Sequence, residues 1–205
     1  MKPTDLLERH AATWQAATRH PFLDAVRDGT LAPQSFATWL VQDYLFVKDE
    51  FAVQAHLLPS TPRCAQNLLI RNAAALEAEL TWFEAHAKEL NLSLSTLPHP
   101  VTAAYGTFMR TFEQLPFAAA MTATWAIELA YLQAWQSALP GQPMYREYIE
   151  RWTNPGFASF VKELEQASAY ALEVGGVDNE AEEAFLKVAE LERKFWEMAW
   201  SGAEQ

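Results

Sequence analysis

The chain has a single cysteine, Cys64. That excludes an intramolecular disulfide and any paired-cysteine metal knuckle, and it fits a reducing compartment. Glycine is also scarce, at 7 residues in 205, and most of the 11 prolines stand at the edges of apolar-periodic stretches. Neither a Walker pattern, a glycine-rich phosphate loop nor Gly-x-Ser-x-Gly occurs. Basic residues are outnumbered: Lys and Arg total 15 against 26 Asp and Glu, a net charge of −11. Such a surface repels phosphate backbones and disfavours a nucleic-acid partner. No apolar run approaches the ~20 residues needed to cross a bilayer. The opening MKPTDLLERH carries no apolar signal core. The expectation is a soluble, cytoplasmic protein with no membrane partner.

What the chain does have is rings and helical periodicity. Half of it is hydrophobic, with 8 Trp, 12 Phe and 6 Tyr, which is core material first and a ring-lined cavity second. Thr4 can cap a first helix to about Arg19, stopped by Pro21. Phe22 to Asp28 forms a short helix closed by Gly29. Pro33 opens a long helix to about Leu58. Thr61-Pro62 reads as a cap and first-turn proline for a helix to about Leu90. After a linker over Asn91 to Pro100 come helices over Val101–Gln114 and Phe117–Leu139. Pro140-Gly141-Gln142-Pro143 is a turn. Tyr145 to Trp152 is short, Asn154-Pro155 opens a helix to about Val174, and Gly175-Gly176 breaks it. Asp178 or Asn179 caps a last helix to about Trp200. No Val/Ile/Thr alternation competes as a strand, and no repeat or interdomain linker appears. The reading is one all-α domain over residues 1–205.

Metal chemistry finds little support. Glu79 and His86 share a helix face, with Glu128 available from another helix. A di-iron bundle, however, wants Glu-x-x-His pairs. None of the five histidines lies in one, so no metal and no cofactor is expected, and Glu79/His86 reads as a surface pair. His20, before Pro21, reads as a capping or turn residue. Cys64 falls in the first turn of its helix, where a thiol pKa can be lowered. No partner marks it as a nucleophile, and a half-buried structural thiol is the expectation.

Two acid–ring pairs are more informative. Asp43 precedes Phe46, and Glu192 precedes Phe195, by three residues on helical segments, so each pair shares a face. An acid beside a ring on an inward face is costly without a partner or ligand. On the helix from Pro33, Trp39, Asp43, Phe46, Glu50 and Gln54 share one face. The alternative is an inward stripe of Phe36, Leu40, Leu45 and Val47, with Asp43 and Glu50 solvated. The first arrangement predicts a polar pocket within a helical bundle.

In these segments the chain resembles the TenA family, the thiaminase II proteins of the haem-oxygenase-like helical fold. The matching segments are Trp14, His20-Pro21-Phe22, Asp28-Gly29-Thr30-Leu31, Phe36 and Gln42-Asp43-Tyr44. Glu79 with His86, Trp125 with Glu128, and Glu192-x-x-Phe195-Trp196 follow in the family's order. The resemblance implies a single-domain all-α bundle of about seven to nine helices. It implies an activity in thiamin salvage, cleavage or hydrolysis at an aminomethyl-pyrimidine. Asp43 would then bind the aminopyrimidine and Glu192 would work on the ring nitrogen. Phe46, Tyr105 and Phe195 would stack on the ring, with Trp125 and Glu128 also at the substrate. The family's nucleophilic cysteine falls near Ala123, and its tyrosines at Ile127 and Trp152. The chain therefore resembles the branch that lacks the cysteine, a resemblance that implies amino or formylamino pyrimidines as substrates. Relatives are generally homodimers or homotetramers.

The chemistry needs these residue types. A carboxylate accepts from the exocyclic amine of a 4-aminopyrimidine, a protonated acid donates to a ring nitrogen, and aromatic faces hold the ring. Without the thiol, an acid with a raised pKa must activate water. Glu50 is the first choice, one turn after Phe46, and Glu128 the second. The expected function is carboxylate-assisted pyrimidine hydrolysis. The alternatives are a non-catalytic pyrimidine- or small-molecule-binding protein, an accessory regulatory protein, and a metal oxidase of the same fold.

Overall fold

The computed structural model describes residues 1–202. Among them are ten α-helices and no strand: α1 (Pro3–Arg9), α2 (Ala11–Thr18), α3 (Pro21–Asp28), α4 (Pro33–Leu57), α5 (Arg63–Glu89), α6 (Pro100–Arg110), α7 (Phe117–Ser137), α8 (Arg146–Thr153), α9 (Pro155–Gly175) and α10 (Asp178–Ser201). The all-α expectation holds. No described helix is long and apolar enough to cross a membrane.

Local chemistry explains most boundaries. Before α3 and α6 stands the same device, a histidine followed by proline. His20 Nδ1 accepts from Phe22 N–H at 3.1 Å, and His99 Nδ1 accepts from Val101 N–H at 3.2 Å. The proline needs no donor in the first turn, so the imidazole takes the next free N–H. Asn154 Oδ1 caps α9 by accepting from Phe157 N–H at 3.0 Å. Gly29 ends α3 at φ 75°, the left-handed conformation that glycine adopts without strain.

Two boundaries differ from expectation. The single helix predicted from Thr4 to Arg19 is broken at His10, where the backbone leaves the helical region and the ring Nε2 meets Glu182 Oε1 at 2.6 Å. Its cap is Lys2, in a capping box with Asp5, and not Thr4. Thr61 does not cap α5. Its hydroxyl turns back to donate to Leu57 O at 2.8 Å, closing α4, and Pro62 holds the cap position.

The helices group into two compact units. The first comprises Met1–Ala32 with Leu115–Glu197, and the second Pro33–Gln114 with the described residues from Met198 on. In the first, α7 is the centre. Sixteen of its residues are buried, including seven alanines, and short side chains let α2, α8 and α9 approach from several sides. Thr122 stays satisfied there by donating to Ala118 O at 2.7 Å and meeting Ser168 Oγ at 2.8 Å. In the second unit, α4 packs against α5 and α6. Gln42 Oε1 fixes α6 by accepting from both His99 N–H, at 2.8 Å, and the Thr102 hydroxyl, at 2.7 Å.

Candidate functional site

In the second unit the inward face of α4 carries the acids. Trp39, Asp43, Phe46, Glu50 and Gln54 are all buried, with Asp43 only 1% exposed and Glu50 5%. The solvated alternative for the two acids is therefore not what the helix adopts. Phe36, Leu40 and Val47 are buried as well, and Leu45 is half-buried. Most of the circumference of α4 is covered, which is why its polar residues lie inside. Tyr105, from α6, meets Phe46 edge-on with centroids 4.7 Å apart and is itself 1% exposed. Asp43, Phe46 and Glu50 thus occupy successive turns of one face, with a second ring brought in from α6.

Sequence reasoning missed the part played by Gln42. Its two accepted hydrogen bonds fix the start of α6, and Tyr105 stands one turn further on. The QDY motif was the only signal for it. Tyr44, the third residue of that motif, faces away from the buried stripe. Its hydroxyl donates to Glu84 at 3.1 Å, and partial burial with that bond raises its pKa.

In the first unit Glu192 is 2% exposed on α10, three residues before the buried Phe195. Phe195 packs edge-on against Trp196 at 6.2 Å. Trp196 in turn stacks on Tyr131 at 5.8 Å, and Trp152 stacks on Trp135 at 5.2 Å. This aromatic set, from α7, α8 and α10, joins Phe195 through its contact with Trp196. Trp125 is fully buried and stacks on Phe185 with centroids 6.2 Å apart. Glu128, one turn later on α7, is 8% exposed. Ala123, Ile127 and Trp152, where the resemblance places a cysteine and two tyrosines, are all buried and offer no thiol or phenol.

Cys64 is exposed, not half-buried as expected, because its side of the first turn of α5 faces outward. His86 is buried, with its ring against Trp82 at 4.3 Å and Nδ1 3.5 Å from Glu89. The expected surface pairing of Glu79 with His86 is in this respect corrected. No group of three or more His, Cys, Asp or Glu among the described residues is placed to hold a metal.

The family model described as TENA/THI-4/PQQC matches residues 7–202. A "Probable bifunctional TENA-E protein" of Glycine max is 30% identical, over 94% of this chain and 90% of that protein. An "Aminopyrimidine aminohydrolase" of Halalkalibacterium halodurans is 27% identical, over 96% of this chain and 94% of that one. In fold, a TenA homologue from Pyrococcus furiosus superposes with a TM-score of 0.92, at 28% identity, over 98% of this chain and all of its own. The matched span covers every acid and ring described above, and the chain belongs to the TENA/THI-4/PQQC family.

Proposed function

We propose that the protein is a hydrolase of thiamin salvage that acts on an aminomethyl- or formylaminomethyl-pyrimidine without a cysteine nucleophile. The observation that carries this reading is the burial of two acids, Asp43 at 1% and Glu192 at 2% exposure, each three residues before a buried ring. An acid in dry surroundings beside an aromatic face suits a ligand that is flat, apolar on its faces and rich in donors and basic nitrogens at its edge. The name of the Halalkalibacterium relative, aminopyrimidine aminohydrolase, supports the same substrate class.

In this mechanism Asp43 accepts from the exocyclic amine and protonated Glu192 donates to the ring nitrogen. Phe46, Tyr105 and Phe195 stack on the ring, and Trp125 and Glu128 contact the substrate. Glu50 takes a proton from water. With a formylamino substrate, the hydroxide oxygen adds to the formyl carbon and the C–N bond breaks. Formate leaves, and the nitrogen takes a proton to become the amine. With an aminomethyl substrate, water's oxygen replaces the amine on the methylene carbon and ammonia departs. The protein would work as a homodimer or homotetramer. Turnover of the two pyrimidines by purified protein, followed by chromatography, tests the reading. A protein that turns over neither, and does not bind the hydroxymethyl pyrimidine, refutes it.

A further inference from the structure

Gln54 on α4 and Asn72 on α5 are each 2% exposed. No described residue is placed to hydrogen-bond Gln54 Oε1 or Asn72 Nδ2. Leaving polar atoms so deeply buried without partners is costly, and native proteins rarely do so without a reason. One atom is an acceptor and the other a donor, and a water molecule can serve both at once.

The two residues stand at one level of a packed helix pair. α4 and α5 are joined by a short connection and run antiparallel, with Trp39 against Phe83 at 6.1 Å and the Tyr44 hydroxyl on Glu84 at 3.1 Å. That register brings Asn72 level with the turn holding Glu50 and Gln54. Gln54 follows Glu50 by one turn, about 6 Å, and stands roughly 16 Å along the axis from Asp43. A substituted pyrimidine held at Asp43 reaches only about 7 Å, the span of five or six covalent bonds. Direct contact between Gln54 and the substrate is thus out of range, whereas Glu50 is one turn away, a separation that a single water can span.

We infer that Gln54 and Asn72 form a water site adjoining Glu50 and supply that carboxylate with the hydrolytic water. The inference rests on the function proposed above and makes both amides positioning residues. Gln54→Met and Asn72→Leu remove the polar atoms at nearly constant volume. Each is expected to lower kcat for the formylaminomethyl pyrimidine about tenfold with KM held within about twofold, because the water loses its hold and the pyrimidine does not. Gln54→Glu keeps the acceptor oxygen and is expected to recover kcat to within about threefold of the unmodified protein. It also moves the acid limb of the rate profile to higher pH, since a second carboxylate beside Glu50 opposes its ionisation.

A crystal structure of the unmodified protein gives a readout independent of turnover and of variant folding. The expected result is a water within hydrogen-bond distance of both Gln54 Oε1 and Asn72 Nδ2. A direct bond between the two amides, or a dry site, overturns the inference. So does an unchanged kcat, or a parallel loss of kcat, substrate affinity and melting temperature in both apolar variants. Failure of the underlying function looks different: the unmodified protein then neither binds nor turns over either pyrimidine, and the water-supply role falls with it.

Discussion

Asp43→Asn is the most direct perturbation of the proposed ligand contact. The side chain is 1% exposed on the buried face of α4, so its hydrogen bonds to a ligand form away from competing water. Asparagine keeps the volume but loses the charge, and it replaces one acceptor oxygen with a donor. A hydrogen bond to a charged group contributes about 1.5–3 kcal/mol, and a donor left facing the ligand's own amine costs about 1–3 kcal/mol more. Allowing for relaxation of the amide, the expected loss is about 2–4 kcal/mol, a weakening of roughly 30- to 1000-fold in Kd. Titration calorimetry with a hydroxymethyl 4-aminopyrimidine, which cannot be hydrolysed further, measures this without relying on turnover. Circular dichroism and thermal melting establish that the helices survive. Affinity within twofold of the unmodified protein, in a folded variant, refutes the assignment of Asp43 to the pyrimidine.

Four further outcomes follow from the same geometry. Glu50→Gln should lower kcat by on the order of 10²-fold with little change in KM, the pattern of a lost general base, and steady-state kinetics on either pyrimidine reads it. Cys64→Ser should leave turnover nearly unchanged, and alkylating the exposed thiol should inhibit weakly, as an activity assay before and after iodoacetamide will show. Gln42→Met strips the acceptor from His99 N–H and the Thr102 hydroxyl, so a loss of about 1–3 kcal/mol is expected, readable as a lower denaturation midpoint, with Thr102→Val giving a smaller one. His20 caps α3 as a neutral ring, and burial holds its pKa below the ordinary 6.5 despite the opposing charges of Glu197 and Asp24, with Arg193 adding to the lowering. The unfolded chain therefore binds the proton more readily, and the stability from His20 is complete above pH 6.5 and declines as pH falls through that value. Melting of the unmodified protein should drop over that window relative to His20→Asn, which keeps a capping acceptor that does not titrate.

Much of the fold was legible because its signals are local. Asn154-Pro155, His20-Pro21 and Gly29 each mark a helix end through their own backbone chemistry, and the structure uses all three. The break at His10 was not legible, because the Glu182 that holds its ring is 172 residues away. Thr61 misled for a related reason: a threonine before proline can serve the helix ahead or the helix behind, and only tertiary context decides. The acids of α4 were ambiguous because apolar residues occupy most of the helix circumference, so periodicity supported two different inward stripes. Burial of both stripes resolves that ambiguity. Asn72 gave no signal at all. An asparagine within a helix is ordinarily exposed, and nothing in its own neighbourhood distinguishes the one that is not.

The distribution of polar groups bears on which acid would activate water in the proposed reaction. The three positions where relatives would carry a cysteine and tyrosines are alanine, isoleucine and tryptophan here, all on α7 and α8 and all within 3% of full burial. Those helices retain Glu128, but its same-face neighbours are Trp125, Tyr131, Leu132 and Thr124, whose hydroxyl already donates to Ala120 O at 3.0 Å. On α4 the buried polar groups instead follow one helix face, Asp43, Glu50 and Gln54, and on α5 Asn72 is buried too, at the level of Glu50 and Gln54 by the register of the two helices. A general base must receive water as well as accept its proton, and amides that can bind water accompany Glu50 along α4 and α5. That asymmetry is the physical reason for placing Glu50 ahead of Glu128. It makes the contrast between Glu50→Gln and Glu128→Gln more informative than either variant alone: a larger loss of kcat at Glu128 would return the water-activating role to α7.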